Sequence, residues 1–282
     1  MAFNWLKKIG KNVAYYPGCL TNYVLASEAG NYRRILEKIK VDFIVVPEHL
    51  CCGSPVLNAG YEKDARTLAR KNLELFKKYN VRKIITNCPA CFKTFLKDYA
   101  EMLPDWDIEV EHVITPILNY LRKKNIDKEN TEKIAYHDPC HLGRHLGIYD
   151  EPREILERLG FEIVEMRNNK ADSLCCGGGA GLRVNNPKLA SDIAKERVKQ
   201  ARESGVKKIV TTCPLCFAHV KEAATSLSTP KSNSDKQGLR GMAENSNIEV
   251  VEFSHLVAEK LGISVEKTDL KREKEELKEA CS

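Results

Sequence analysis

An α/β fold made of two tandem repeated units, each a small parallel sheet with crossover helices and a cysteine-lined site at the strand carboxyl ends, is predicted by three features of the sequence. The segment VRKIITNCPACF at residues 81–92 returns as VKKIVTTCPLCF at residues 206–217, 125 positions later, which marks an internal duplication. Short β-branched runs alternate with stretches of helical periodicity, as parallel strands joined by crossover helices require. Five cysteines recur in each copy at near-equal spacing. The duplication predicts one cysteine-rich domain over residues 1–128 and a second over 129–265, followed by a charged tail at 266–282.

In the first copy, residues 13–16, 41–46, 83–86 and 108–113 are predicted strands. Between the first two, Leu25, Ala29, Tyr32, Leu36 and Ile39 recur at three- and four-residue steps, the spacing of one buried helix face. Ala65, Leu68, Ala69, Leu73 and Phe76 do the same between the next two. In the second copy the predicted strands lie near residues 133–136, 161–165, 208–211 and 249–252. Its long helix is well punctuated, with Asn186 as N-cap, Pro187 in the first turn and Gly205 just past the end. The Ser-, Asn- and Gly-rich stretch at 225–247 is expected to be a surface loop inserted only in this copy. The tail, with its KREKEELKEA run and Cys281, lies outside the repeat, and Cys281 is not expected to be a ligand.

The composition narrows the function. A chain of 282 residues with 43% hydrophobic and 30% charged residues buries a core without staples, so its eleven cysteines are not needed for stability. No apolar run has the length of a signal peptide or a membrane span, and a cytoplasmic location is expected. Structural disulfides are rare there, which leaves metal binding or redox chemistry for the thiols. The net charge of +6 is spread among carboxylates, with no basic stripe of the kind a nucleic-acid partner requires.

The strand map sets Cys19, Cys51 and Cys88 just after strand carboxyl ends, and likewise Cys140, Cys175 and Cys213. In an open parallel sheet those ends share one edge, where ligands bind, so each copy gathers five thiols. Cys88 and Cys91, and Cys213 and Cys216, form CxxC motifs at helix starts, with Pro89 and Pro214 in the first turns. The positive end of a helix dipole favours the thiolate, the form that ligates metal. Gly53 and Gly177 follow the paired cysteines, and the second copy extends to CCGGGAG at 175–181, either an open face over the site or a tight turn.

Ordinary cubane clusters and structural zinc sites take four protein ligands, one fewer than each copy offers. Either one thiol per copy is spare or the cluster uses the fifth as an extra or bridging ligand, and the second is preferred because adjacent cysteines on one turn reach two metal atoms more easily than they chelate one. Zinc in one copy, zinc alone, and a thioredoxin-type CxxC stay as weaker alternatives. His137, His141 and His145 flank Cys140. Polar support of the loop is the preferred reading for the three, and His141 is the candidate catalytic proton donor if one acts. His49 is assigned no role.

These residues resemble the cysteine-rich CCG domain family, whose signature of a lone Cys, a Cys-Cys-Gly and a CxxC is usually duplicated along one chain. The resemblance covers nearly the whole sequence, and YHDPCHLGR at 136–144 together with CCGGGAG is most similar to the D-type subunit of heterodisulfide reductase. The family also includes the B-type subunit, a thiol-forming fumarate reductase subunit, and iron–sulfur subunits of lactate and glycolate oxidation systems. The resemblance implies two noncubane [4Fe-4S] clusters, one held by Cys19, Cys51, Cys52, Cys88 and Cys91, the other by Cys140, Cys175, Cys176, Cys213 and Cys216.

It further implies reduction of the coenzyme M–coenzyme B disulfide of methanogenesis, with two clusters facing one cleft and Arg144 and Arg183 as candidates for the anionic groups of that substrate. The alternative is an electron-transfer subunit of a flavin-dependent 2-hydroxy acid dehydrogenase or fumarate reductase complex. The D-type carries a ferredoxin-like segment ahead of its cysteine-rich part, which is not found here. The expected partners are therefore a ferredoxin-like or flavoprotein electron donor, with peripheral association to a membrane cytochrome subunit.

Overall fold

A computed structural model describes residues 12–124, 132–228 and 247–265. The first copy runs β1 (Asn12–Tyr16), α1 (Cys19–Tyr23), α2 (Ala26–Lys38), α3 (Ser54–Asn58), α4 (Glu62–Lys78), β2 (Val81–Thr86), α5 (Pro89–Lys93), a π-helical turn (Thr94–Asp98), α6 (Tyr99–Met102), β3 (Glu109–His112) and α7 (Ile114–Leu121). The second runs β4 (Glu132–Tyr136), α8 (Asp150–Arg158), β5 (Phe161–Ile163), a 3₁₀ turn (Lys170–Asp172), α9 (Leu182–Asn185), α10 (Pro187–Glu203), β6 (Lys208–Thr211), α11 (Pro214–Ser228), β7 (Glu249–Glu252) and α12 (Phe253–Lys260).

All pairings are parallel, in the orders β1-β2-β3 and β5-β4-β6-β7. The two sheets are one plan with one difference. The expected strand at residues 41–46 shrinks to a single bridge, Ile44 to Ala14, on the outer side of β1. Only Ile44 exchanges backbone bonds with β1, receiving Tyr15 N–H at 2.9 Å and donating to Val13 O at 2.8 Å. An edge segment bonds on one side only, and Pro47 beyond it lacks the N–H that would extend the ladder. Its counterpart β5 keeps three paired residues.

The helices follow the sequence. Leu25 and Ile39 cap α2 and Tyr32, Ile35 and Leu36 are buried along it. The α10 helix starts where predicted, with Asn186 Oδ1 accepting from Leu189 N–H at 3.1 Å, and Gly205 turns left-handed (φ +79°) just beyond its end. Residues 225–228, expected in a loop, extend α11; the rest of that loop, the tail and Cys281 lie outside the described residues, except that Asn247 precedes β7. No helix among the described residues is long and apolar enough to cross a membrane.

The two copies share a core. α2 packs on α12 and α7 on α8, so that Tyr32, Ile117 and Leu121 join Ile155, Phe161 and Val257 in one buried cluster. A buried polar strap crosses the same seam. Tyr32 O–H donates to Glu252 Oε1 at 2.7 Å, Ser254 N–H donates to Glu252 Oε2 at 2.7 Å, and Ser254 O–H donates to Glu28 Oε2 at 2.8 Å. Burial, reinforced by the Glu28 charge, pushes Glu252 from 4.5 up to about 8. An acid raised in the native state holds its proton where the unfolded chain has lost it. Its contribution to stability is therefore complete below the unfolded value and is lost as pH rises towards 8. The urea midpoint is expected to fall between about pH 5 and pH 8, and Glu252→Gln to flatten that slope. An equal slope in the variant would assign the effect to other groups.

Candidate metal centres

Each cysteine is placed by a strand end or a helix start. Cys19 opens α1 after β1, Cys51 and Cys52 sit on the turn before α3, Cys88 is the N-cap of α5, and Cys91 lies one turn inside it. Hydrogen bonds link the five sulfurs in the order Cys19, Cys51, Cys52, Cys91, Cys88. The second copy repeats the chain of contacts as Cys140, Cys175, Cys176, Cys216, Cys213. All ten predicted thiols thus fall into two sets of five, as the spacing predicts. Cys281 is outside the described residues.

The charges follow from crowding. Hydrogen bonds from Cys19 and Cys52, with a further one from Gly53 N–H at 3.4 Å, pull Cys51 far below the ordinary thiol range. Cys19 is pushed up by the same hydrogen bond, seen from its donor end, and by burial. Cys175 and Cys140 repeat this, with Gly177 N–H at 3.4 Å from Cys175 Sγ. Cys88 is lowered by the Cys91 thiol and by the backbone N–H groups of Cys91 and Ala90, the helix-terminus effect expected of a CxxC. Five touching thiols do not all ionise without a counter-charge. A multinuclear cation supplies it and displaces the remaining protons, so soft thiolates in sets of five fit an iron–sulfur cluster, and four of them fit zinc.

Close backbone approach shapes both sites. A Cβ on Gly18, whose φ is +79°, meets Cys91 Sγ at 3.2 Å and Cys88 Cβ at 3.3 Å. Gly177 at φ +78° lies against α10, where a Cβ comes within 2.7 Å of Ala190 O. Both paired-cysteine glycines are left-handed turns, which favours the tight-turn reading of CCGG over an open face.

Several supporting residues carry no cysteine signal and escape sequence reading. Asn72 Nδ2 donates to Cys51 O at 2.9 Å and Tyr99 O–H to Cys52 O at 3.0 Å, which together hold the Cys51–Cys52 turn by its carbonyls. Arg153 clamps Asp138 with two bonds, at 2.7 and 3.0 Å, beneath the Cys140 loop. A pair matched across the repeat, Tyr15 with Asn87 and Tyr136 with Thr212, ties β1 to the loop after β2 and β4 to the loop after β6. The duplication was the one signal available for these, since the partners occupy equivalent places.

The predicted arginines are bonded to groups of the chain itself. Arg144 donates to Ser173 O at 2.6 Å, steadying the approach to Cys175, and Arg183 pairs with Glu222 at 2.6 Å. His141 Nδ1 lies 3.4 Å from Cys140 Sγ and its ring stacks on His145, 4.8 Å between centroids. Burial, then His145 and Lys93, hold His141 below its usual pKa of 6.5. His137 is elsewhere, fully buried behind the site, with one ring nitrogen within 4.8 Å of the Cys176 and Cys216 sulfurs. His49 stacks on Tyr16 at 4.7 Å.

The sites border each other reciprocally. α1, which begins at Cys19, lies on α11, which carries Cys216, and Leu20 packs into the second copy's core. In return, His141 and His145 feel the charges of Lys93 and Asp98 on the helical run that carries Cys91, and Lys97 Nζ donates to His145 O at 2.9 Å. Each copy's lone-cysteine loop thus leans on the other copy's CxxC helix.

Comparison with known proteins agrees with this duplication. The family model of the CCG cysteine-rich domain matches twice, at residues 13–96 and 134–221. The chain is 32% identical over 263 residues to the D-type subunit of the dihydromethanophenazine:CoB–CoM heterodisulfide reductase of Methanosarcina acetivorans, covering 90% of this chain and 60% of that protein. It is 31% identical to the B-type subunit of the fumarate reductase (CoM/CoB) of Methanothermobacter marburgensis, covering 76% of this chain and 42% of that one. It is 32% identical to the EtfAB:quinone oxidoreductase of Syntrophomonas wolfei, covering 78% and 32%. With two matched copies that take in both sets of five cysteines, the chain belongs to the CCG cysteine-rich domain family.

Proposed function

We propose that this chain is an iron–sulfur oxidoreductase subunit that reduces a small disulfide of the coenzyme M–coenzyme B type at two cysteine-held centres. The observation that carries the reading is the doubled set: ten cysteines, none missing, in two contact chains of identical order whose loops lean on each other. Cys19, Cys51, Cys52, Cys88 and Cys91 hold one four-iron cluster and Cys140, Cys175, Cys176, Cys213 and Cys216 the other, of the noncubane type. A cluster at each site supplies one electron at a time, so the two together match the two electrons that a disulfide takes in giving two thiols.

The chain's own groups do the rest. Cys19 is exposed, so the first site is open to solvent along its lone-cysteine side. Cys51, Cys88, Cys140 and Cys175 are half-buried and Cys52, Cys91, Cys176, Cys213 and Cys216 are buried, so a small substrate meets the lone cysteine and the first cysteine of each pair before the deeper thiols. His141 Nδ1 stands beside Cys140 Sγ, and its depressed pKa makes the ring a ready proton donor whenever it is protonated. Electrons come from a ferredoxin-like or flavoprotein partner, and a membrane cytochrome is the peripheral partner. The chain spans about 60% of the heterodisulfide reductase subunit it matches.

Relay rather than disulfide chemistry is the second reading, favoured by the likeness to the fumarate reductase and EtfAB:quinone oxidoreductase proteins. Protein purified without oxygen is expected to hold about eight irons and as much sulfide. It should then oxidise reduced viologen when the heterodisulfide is added. Full clusters without that activity would select the relay. Near-stoichiometric zinc with little iron would end both readings, and about four irons with one zinc would put zinc in one site.

A further inference from the structure

The two sites share their ligands but not their surroundings. α4 and α10 are equivalent helices of 17 residues each, and register sets Asn72 of the first copy opposite Arg197 of the second. Tyr16 and His137 are likewise matched, each directly after the aromatic Tyr15 or Tyr136 that bonds to the following strand's loop. Around the first site these residues are neutral and donate to backbone: Asn72 serves the Cys51 carbonyl and Tyr16 O–H donates to Leu50 O at 2.5 Å. Around the second they are a cation and an imidazole joined to each other.

The joint decides which atom of His137 meets sulfur. Arg197 Nε donates to His137 Nδ1 at 3.0 Å. A guanidinium has only donors, so Nδ1 accepts and the neutral ring carries its proton on Nε2. Nε2 is buried with no hydrogen-bond partner among the described residues, and an imidazole nitrogen lies within 4.8 Å of the Cys176 and Cys216 sulfurs. With its Nδ1 lone pair engaged, the neutral ring has none left on Nε2 for a metal. His137 thereby offers an unused N–H beside the ligand sulfurs and no free lone pair with which to be a ligand itself.

Arg197 itself is fully buried. Its Nη1 donates to Asn168 O and Gln200 Oε1, each at 2.7 Å, and its Nη2 has no partner among the described residues. The nearby Asp138 and Glu165 are both bonded to Arg153, and no carboxylate among the described residues bonds Arg197 directly. Hydrogen bonds to sulfur and an adjacent positive charge each favour the reduced, more negative state of a cluster, and so raise its potential.

Resting on the proposed pair of iron–sulfur centres, we propose that His137, oriented by Arg197, makes the second centre the one of higher potential, so that electrons entering the chain collect at Cys140–Cys175–Cys176–Cys213–Cys216. His137 acts as a donor to the ligand sulfurs and Arg197 as a positioning residue behind it. The asymmetry gives the relay a direction: the first centre hands on, the second holds.

The test is a potentiometric titration followed by electron paramagnetic resonance on the whole chain with its clusters. Two components are expected, and the one lost in Cys176→Ala is that of the second site. His137→Phe keeps a ring without the N–H, and Arg197→Gln keeps the ring without the charge. Each is expected to shift the second component's reduced-to-oxidised ratio, at fixed potential, about tenfold towards oxidised, 59 mV for a one-electron couple. The first component should stay in place, and Tyr16→Phe should move neither. An unmoved second component, or a shift confined to the first, overturns the proposal. So does the loss of half the iron from folded His137→Phe, which would make the ring a ligand. If His137→Phe does not fold, Arg197→Gln decides by the same shift. Wild-type protein holding zinc instead of iron sinks the underlying reading, whereas eight irons with unmoved variants sinks only this one.

Discussion

Cys176→Ala is expected to halve the iron of the anaerobically purified protein, from about eight to about four, with sulfide falling in step. Cys176 is central to its set. It is 3% exposed and hydrogen-bonded to both Cys175 and Cys216, so its removal breaks the chain of sulfurs in the middle. Cys52→Ala does the same to the first set, where Cys52 lies between Cys51 and Cys91. Each variant should keep the other site, because the sulfur chains do not cross between copies. Losing even an outer partner of a metal ligand costs 10–100-fold, so disulfide reduction should fall by more than about 100-fold in either variant. Far-ultraviolet circular dichroism should be largely unchanged, since the core shared by the copies, with Tyr32, Ile155 and Phe253, contains no cysteine, and Cys176 and Cys52 each lie in a separate cluster where the change removes one sulfur. Loss of all iron in both single variants would mean that the sites assemble only together.

Gly177→Ala is expected to destabilise far more than Gly53→Ala, although the two glycines are repeat partners with φ of +78° and +84°. Both variants bear the left-handed penalty, about 1–2 kcal/mol. They differ in what the new methyl meets. At Gly53 the nearest atoms are Leu68 side-chain carbons at 3.7 Å, an ordinary contact. At Gly177 it is the Ala190 carbonyl of α10 at 2.7 Å, and helix backbone does not yield as a side chain does. Overpacking adds about 1–3 kcal/mol there. The turn carrying Cys175 and Cys176 shifts with it, so Gly177→Ala should also lose iron from the second site. Urea unfolding of the two variants side by side checks the difference, and equal midpoints would refute the packing argument.

Much of this was readable in the sequence for a definite reason. A duplication doubles every signal, so CxxC at a helix start and CCG on a turn became a pattern once they recurred at matched spacing. The strands that carry the sites, β1, β2, β4 and β6, are β-branched or aromatic runs bounded by turn residues and were visible for that reason. The segment at 41–46 reads as apolar as a true strand, yet it pairs only at Ile44. Pattern reports burial, whereas pairing depends on a neighbour at the right height. Arg144 and Arg183 were drawn to substrate by their place beside the motifs, but a guanidinium binds the nearest acceptor, and here those are Ser173 O and Glu222.

By itself the sequence determined the α/β class, the two-copy plan and the ten thiols, because these follow from period, spacing and residue type along the chain. Only the tertiary structure decided that the copies share one core, that each lone-cysteine loop rests on the other copy's CxxC helix, and that Asn72 and Arg197 stand at equivalent places behind the two sites. Those are relations between residues far apart in the chain. They are set by which surfaces exclude water together and which buried donors find acceptors, and a linear pattern does not encode either.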